Sequence, residues 1–134
     1  MKNFNLRFLC ADKIVYDGEC SNLVVPLKDG LMGIMAGHAD MIGAIEIGEV
    51  VITIAEGNIM RLAVTKGVVK VEKGSVLILA DTAEESDQID ELRARQALEK
   101  AKEQMLHKQS VLEYKKTSFD IARAVNRIKV KNRG

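Results

Sequence analysis

The chain of 134 residues is poor in aromatic side chains and in cysteine, and each scarcity excludes a class of function. It has no Trp, and only 4% of its residues are aromatic. It therefore lacks the stacking platform with which proteins bind single-stranded nucleic acid. Its two cysteines, Cys10 and Cys20, have no metal-binding spacing, so we expect reduced structural thiols. No apolar run approaches the ~20 residues that span a bilayer.

The chain also lacks an excess of charge of either sign. The net charge is +1, which gives no general attraction to nucleic acid or to an anionic membrane. The first residues enter an alternating strand pattern at once, so we expect no signal peptide and a cytoplasmic location. The charges are unevenly placed, however. Residues 84–91 are mostly acidic and the C-terminal end is basic, through Lys115, Lys116, Arg123, Arg127, Lys129, Lys131 and Arg133.

Glycine and proline are absent from residues 87–133. Nine of the ten glycines and the single proline, Pro26, lie before a break in composition near Asp81. Because glycine and proline punctuate turns, the break separates two differently built segments. We predict a first domain over residues 1–84 and a second over residues 85–134.

The first segment predicts an antiparallel β-sandwich. Phe4, Leu6, Phe8 and Cys10 alternate with mostly polar neighbours, which is the period of a half-buried strand. The same rhythm recurs along the segment up to about Ala80, and turn signals such as Asp29-Gly30, Lys66-Gly67 and Lys73-Gly74 separate the runs.

The glycine-rich residues 29–40 do not form a phosphate loop. Such a loop leads into a helix and carries a Lys-Ser/Thr pair, whereas this segment is flanked by strand patterns and reads as tight β-turns. His38 is the only histidine of the first segment, and we expect a hydrogen-bonded loop residue. No arrangement typical of a catalytic or metal site is recognisable in the sequence.

The second segment predicts two amphipathic helices and thus an α+β fold, with the sandwich followed by a two-helix hairpin. Ser86 or Asp87 can cap the first helix, and Glu91 and Arg95 form a favourable i,i+4 pair. Residues 109–111 weaken helix propensity without stopping it, so one extended helix is also permitted. The apolar stripes are Ala94, Ala97, Leu98, Ala101 and Met105, then Phe119, Ala122, Val125 and Ile128.

These features together resemble the epsilon subunits of bacterial F-type ATP synthases. The resemblance rests on Gly30 to Ala39, on the seam from Val76 to Glu84, and on the two helices that follow. It implies a non-catalytic rotor subunit at the cytoplasmic face of the cell membrane. Its partners would be the gamma subunit, the c-subunit ring and the alpha/beta hexamer, and its extended helices would inhibit ATP hydrolysis.

The resemblance also implies residue roles. Leu31, Met32 and His38 would contact the rotor, although Leu31-Met32 stands where the family usually has Glu-Leu. Lys115, Lys116, Arg123 and Arg127 would contact the catalytic hexamer in the inhibited state. No cofactor is required, but Ile89 to Ala94 resembles the family's regulatory ATP motif. The implied ATP site comprises Glu84, Ile89, Asp90, Arg93, Ala94, Lys100, Arg123 and Arg127, with Lys100 where binding members often carry Arg.

Two other classes of protein are weaker fits. Lys66 in a predicted β-turn superficially matches the modified lysine of a biotinyl or lipoyl carrier domain, but the flanking Met-Lys-Met or Asp-Lys-Ala pattern is missing. A nucleic-acid adaptor that uses the basic end is disfavoured by the few aromatics and the near-neutral charge.

Overall fold

The computed structural model describes residues 2–54, 57–106 and 111–133, and the chain divides into two compact units. The first unit runs up to Glu85 and the second begins at Ser86. The first is built of strands and the second of helices, which agrees with the predicted α+β class.

The described part of the first unit contains ten strands. They are β1 (Phe4–Cys10), β2 (Ile14–Cys20), β3 (Asn22–Leu27), β4 (Gly30–Met35), β5 (Met41–Ile45), β6 (Gly48–Thr53), β7 (Ile59–Val64), β8 (Gly67–Glu72), β9 (Ser75–Ala80) and β10 (Ala83–Glu85). Their order across the sheet is β10-β7-β6-β3-β5-β8-β9-β1-β2, and β4 pairs with β3 alone. The described pairings are antiparallel except that β1 and β9 are parallel, so the predicted antiparallel sandwich contains one parallel pair.

The strands enclose a single apolar core. Phe8, Leu23, Ile52 and Ile78 come from four different strands and are fully buried. In β1 the predicted alternation is confirmed, because Phe4, Leu6 and Phe8 are buried while the intervening Asn5 and Arg7 are exposed. The inward-facing residues from both ends of the strand order thus meet in one barrel-like sandwich.

The glycine-rich segment is more regular than tight turns alone. Gly30–Met35 forms β4, an edge strand that pairs with β3 from Asn22↔Met35 to Leu27↔Gly30. Gly30 lies at φ +126 beside the hairpin turn, a conformation that only glycine adopts easily. Met32 and Ile34 face inward, as in an ordinary strand. The sequence pattern missed this strand because Gly33 stands at one of its outward positions and shows no side-chain alternation there.

The second unit is a helical hairpin. A 3₁₀ turn (Ser86–Gln88) precedes α1 (Glu91–Met105), and α2 (Val111–Arg133) packs against α1. The predicted weak point at residues 109–111 lies outside the described residues, apart from the start of α2. The predicted pair is confirmed, since Arg95 Nη2 lies 2.8 Å from Glu91 Oε1.

Two local predictions for the helices are wrong. The N-cap is Asp90 and not Ser86 or Asp87, because Asp90 Oδ1 accepts a hydrogen bond from the Arg93 amide at 3.1 Å. In α2 the buried residues are Thr117, Ala124 and Val130, whereas the predicted stripe residue Ala122 is exposed. A pattern of apolar residues could not predict this face, because it includes the polar Thr117. The Thr117 hydroxyl is buried and donates a hydrogen bond to the Glu113 carbonyl at 2.9 Å.

Candidate binding surfaces

An apolar row crosses the outer face of the first unit. It contains one residue from each of five neighbouring strands, and the register aligns them: Ile14 with Leu9, Leu9 with Leu79, Leu79 with Val68, and Val68 with Ala44. Ile14, Leu79 and Val68 are 62%, 48% and 43% exposed. Adjacent exposed aliphatic side chains of this kind make the row a candidate interaction surface.

Charged residues border this apolar row. In the next register row, Arg7 faces Asp17 on one side and Leu77 on the other, and Arg7 Nε lies 3.7 Å from Asp17 Oδ2. On the far side of Leu77, Lys70 Nζ lies 2.9 Å from Glu72 Oε2. A shallow depression of about 570 Å³ lies among these groups. Because each cation has its own carboxylate, the surface is apolar with a nearly neutral polar border.

The predicted rotor residues lie on and after the β3–β4 hairpin. Leu31 is 74% exposed, whereas Met32 packs partly against the core. His38 is half-buried, and its Nδ1 lies 2.8 Å from the carbonyl oxygen of Ala39. Of the three, Leu31 offers the largest free side chain, and the exposed Met35 follows it on the same side of β4.

A cationic cleft lies between α1 and α2, which pack against each other within the second unit. It has a volume of about 190 Å³. Lys116, Asp120, Arg123 and Arg127 line it from α2, and their spacing places them on one face of that helix. From α1, Ala97, Lys100, Ala101 and Gln104 complete the lining together with Ala124 of α2.

The shape of the cleft follows from its small residues. Ala97, Ala101 and Ala124 leave space that longer apolar side chains would fill, and Arg123 and Arg127 line the same cleft. The Nε–H of Arg123 is buried and has no hydrogen-bond partner within the described residues. A buried donor of this kind is costly unless a ligand or water satisfies it. The cleft therefore has the chemistry of an anion site.

The structure brings together only part of the predicted ATP site. Lys100, Arg123 and Arg127 meet in the cleft. The residues of the motif at the start of α1 have structural roles. Asp90 caps the helix, and the side chains of Ile89 and Ala94 are buried, at 3% and 0% exposed. The remaining predicted residues are the exposed Arg93 in the first turn of α1 and the half-buried Glu84, which belongs to the first unit and pairs with Ala63.

The predicted hexamer contacts form two groups, one exposed and one half-buried. Lys115 and Lys116 are exposed on α2, and Lys116 Nζ lies 3.7 Å from Asp120 Oδ2. Arg123 and Arg127 are half-buried in the cleft. In the hairpin, therefore, only part of the basic end faces solvent.

The cysteines are structural in character. Both are free thiols; Cys10 is half-buried at the end of β1, and Cys20 is buried at the end of β2. Burial raises the pKa of Cys20 to about 11, and burial also raises the pKa of Cys10. Both thiols thus stay protonated and unreactive near neutral pH. Among the described residues there is no cluster of potential metal ligands, and none of their helices is long and apolar enough to cross a bilayer.

Comparison with known proteins assigns both units to one family. The sequence model of the ATP synthase delta/epsilon chain β-sandwich domain matches residues 3–86, and that of the long α-helix domain matches residues 87–132. The ATP synthase epsilon chain of Ruminiclostridium cellulolyticum is 36% identical over 133 residues, covering 99% of this chain and 98% of its own length. The chain belongs to the ATP synthase epsilon-chain family.

Other members of the epsilon-chain family show the same full-length likeness. The ATP synthase epsilon chain of Ruminococcus albus is 34% identical over 134 residues, with 99% of each chain covered. That of Bacillus cytotoxicus is 32% identical over 132 residues, with 98% of each covered. The family assignment replaces the carrier-domain alternative that rested on Lys66.

Solved structures confirm the fold independently of close sequence similarity. A chain of the Euglena gracilis mitochondrial ATP synthase (OSCP/F1/c-ring) superimposes with a TM-score of 0.81 at 18% identity, covering 98% of this chain and 82% of that one. A chain of the Tetrahymena thermophila mitochondrial ATP synthase central stalk and c-ring gives a TM-score of 0.69 at 12% identity, with 97% of each covered. At these identities the likeness concerns the fold alone.

Sequence reasoning did not identify the apolar row as a candidate surface. Its signal was present, because Leu9, Val68 and Leu79 are apolar residues at outward positions of strands whose alternate residues already form the core. Apolar residues on both faces of a strand are typical of a sheet that is covered on both faces.

Proposed function

We propose that this chain is a non-catalytic central-stalk subunit of a bacterial F-type ATP synthase, attached peripherally at the cytoplasmic face of the membrane. Family membership over both units supports this assignment. The first unit binds the rotor, with the gamma subunit and the c-subunit ring as partners. The second unit regulates ATP hydrolysis by the alpha/beta hexamer.

The apolar row is the observation that carries the rotor-binding proposal. The side chains of Ile14, Leu79 and Val68 remain substantially exposed on a sheet whose opposite face is already a packed core. Removing apolar surface of this kind from water is favourable by about 25 cal/mol for each Å², before the costs of association are subtracted. We assign this surface to the gamma subunit and the Leu31 hairpin to the c-ring.

The assignment to gamma is tested by Leu79→Glu. A carboxylate in the middle of the row loses apolar contact and is costly to desolvate, so binding of the chain to an ATP synthase core lacking it should weaken by about a hundredfold. Ile59→Glu is the matched control, because Ile59 is 52% exposed on β7 and lies outside the row. Equal binding by the two variants would contradict the proposed surface.

The regulatory proposal rests on the basic face of α2. In the extended form, Arg123 and Arg127 leave the cleft and join Lys115 and Lys116 in contact with the acidic surface of the hexamer. Truncation after Asp87 should therefore raise the hydrolysis rate of the reconstituted complex while ion coupling is retained. Arg123→Gln with Arg127→Gln should relieve inhibition in the full chain. Unchanged inhibition in both variants would contradict this role.

The cleft is also the proposed site for regulatory ATP. Lys100, Arg123 and Arg127 would hold the phosphates, since guanidinium groups bind phosphate oxygens through paired hydrogen bonds. Such a ligand requires the hairpin and so favours the non-inhibiting form. Isothermal titration of the full chain with ATP tests the site, with Arg123→Gln as the variant that should lose binding. No heat at millimolar ATP from the wild-type chain would contradict it.

A further inference from the structure

The cationic cleft contains one carboxylate, and its position has a functional consequence. Asp120 lines the cleft together with Lys100, Lys116, Arg123 and Arg127, so its described lining combines four cations with one acid. Its side chain is 39% exposed, and its Oδ2 lies 3.7 Å from Lys116 Nζ. That distance is long for an ion pair and the lysine is mostly exposed, so the pair contributes little to stability. This ion pair with Lys116 therefore gives Asp120 little structural role.

The position of Asp120 along α2 puts it next to any bound anion. It follows Lys116 by four residues and precedes Arg123 by three, and residues at these spacings have Cβ atoms about 5–6 Å apart on a helix. An anion that satisfies the buried Nε–H of Arg123 therefore comes close to the Asp120 carboxylate. Two like charges at such a separation in a partly solvated site reduce affinity by roughly tenfold.

We propose that Asp120 is a built-in competitor for anions in this cleft, and that it sets the concentration at which phosphate-bearing ligands bind. The inference rests on the proposed use of the cleft for ATP phosphates, and it assigns a residue outside the ATP-motif positions as the determinant of affinity. Asp120 opposes each negative charge of the ligand, so its effect grows with ligand charge and does not depend on adenine.

The test compares wild type with Asp120→Asn in the full chain. Asparagine keeps the shape of the side chain and removes the charge. Isothermal titration at one fixed, low salt concentration would use phosphate, pyrophosphate, tripolyphosphate and ATP. We expect about tenfold tighter binding of ATP and of tripolyphosphate by Asp120→Asn, with a smaller gain for pyrophosphate and the smallest for phosphate.

Two control variants separate this local effect from others. Glu103→Gln changes the net charge of the chain equally, but Glu103 is exposed on α1 and does not line the cleft. It should leave affinity unchanged. Adding Arg123→Gln to Asp120→Asn should abolish the gain. Thermal melting of each variant by circular dichroism verifies that the hairpin is intact.

The outcomes distinguish this inference from the proposed function. If ATP binds wild type and Asp120→Asn equally, or if Glu103→Gln gives the same gain, the role of Asp120 is overturned while the ATP site stands. If Asp120→Asn binds tripolyphosphate more tightly but no variant prefers ATP to it, the competitor role is supported and nucleotide recognition fails. If no anion binds Asp120→Asn at millimolar concentration, both are overturned.

Discussion

Gly67 occupies a position where the space for a side chain is already filled by backbone. A Cβ on this residue would lie 2.2 Å from the carbonyl oxygen of Leu79 and 2.9 Å from the Cα of Ala80. Gly67 begins β8 and pairs with both Ala80 and Ile45. The obstacle is a neighbouring strand and not a flexible side chain, so β8 and β9 must move apart by roughly 1 Å to accept alanine.

The cost of Gly67→Ala can be derived from that displacement. Overpacking of a rigid site costs about 1–3 kcal/mol. The shift also strains the adjacent backbone bond in which the Asp81 amide donates to the Lys66 carbonyl at 2.8 Å, and each lost bond adds about 1 kcal/mol. We expect the free energy of unfolding of the first unit to fall by about 2–4 kcal/mol, which is a large part of the ~5–15 kcal/mol typical of a domain.

Native-state hydrogen exchange of the β8 and β9 amides in increasing urea measures this loss locally. Gly33→Ala is the matched control, because Gly33 also lies in a strand and an added Cβ there meets nothing within 4 Å. It should change stability by less than about 0.5 kcal/mol. A Gly67→Ala protein within about 1 kcal/mol of wild type would refute the close approach of β8 to β9.

Three further predictions concern stability. Asp90→Ala removes the N-cap of α1 and should destabilise the helical unit by about 1 kcal/mol, measured by thermal melting, whereas Asp87→Ala should have little effect. Gly48→Ala places a Cβ 2.7 Å from the Pro26 ring and should cost about 1–3 kcal/mol by urea unfolding. Burial raises the pKa of Cys20 from 9.0 to about 11, so the protonated thiol stabilises the fold below pH 9 and that contribution is lost as pH rises towards 11. The free energy of unfolding of Cys20→Ala, measured by urea unfolding at each pH, should therefore fall less than that of wild type between these pH values. An equal fall in the two proteins would contradict this.

Local patterns were sufficient to predict the alternation of β1 and the existence of the two helices. In β1, burial of Phe4, Leu6 and Phe8 follows directly from alternation, since a strand has a side-chain period of two. The Glu91–Arg95 pair likewise follows from helix geometry. In both cases the interacting groups are set by spacing within one element.

Features that depend on distant partners could not be predicted in this way. The parallel pairing of β1 with β9 joins residues about seventy positions apart, so no turn between them sets its direction. Asp90 replaced Asp87 as the cap because the 3₁₀ turn at Ser86–Gln88 delays the start of α1. The cleft depends on how α1 packs on α2, and the position of Asp120 within it becomes visible only then.

Arg123 and Arg127 have two proposed uses that exclude each other. The hairpin holds them in the cleft, whereas the proposed extended form would present them to the hexamer. A ligand that binds only the hairpin stabilises it by RT ln(1 + [L]/Kd), so ligand at about ten times its Kd shifts the balance about tenfold. Any residue that raises this Kd raises the ligand concentration needed for release by the same factor. In the proposed scheme Asp120 therefore sets the nucleotide level at which the helices change form, although it contacts neither the rotor nor the hexamer.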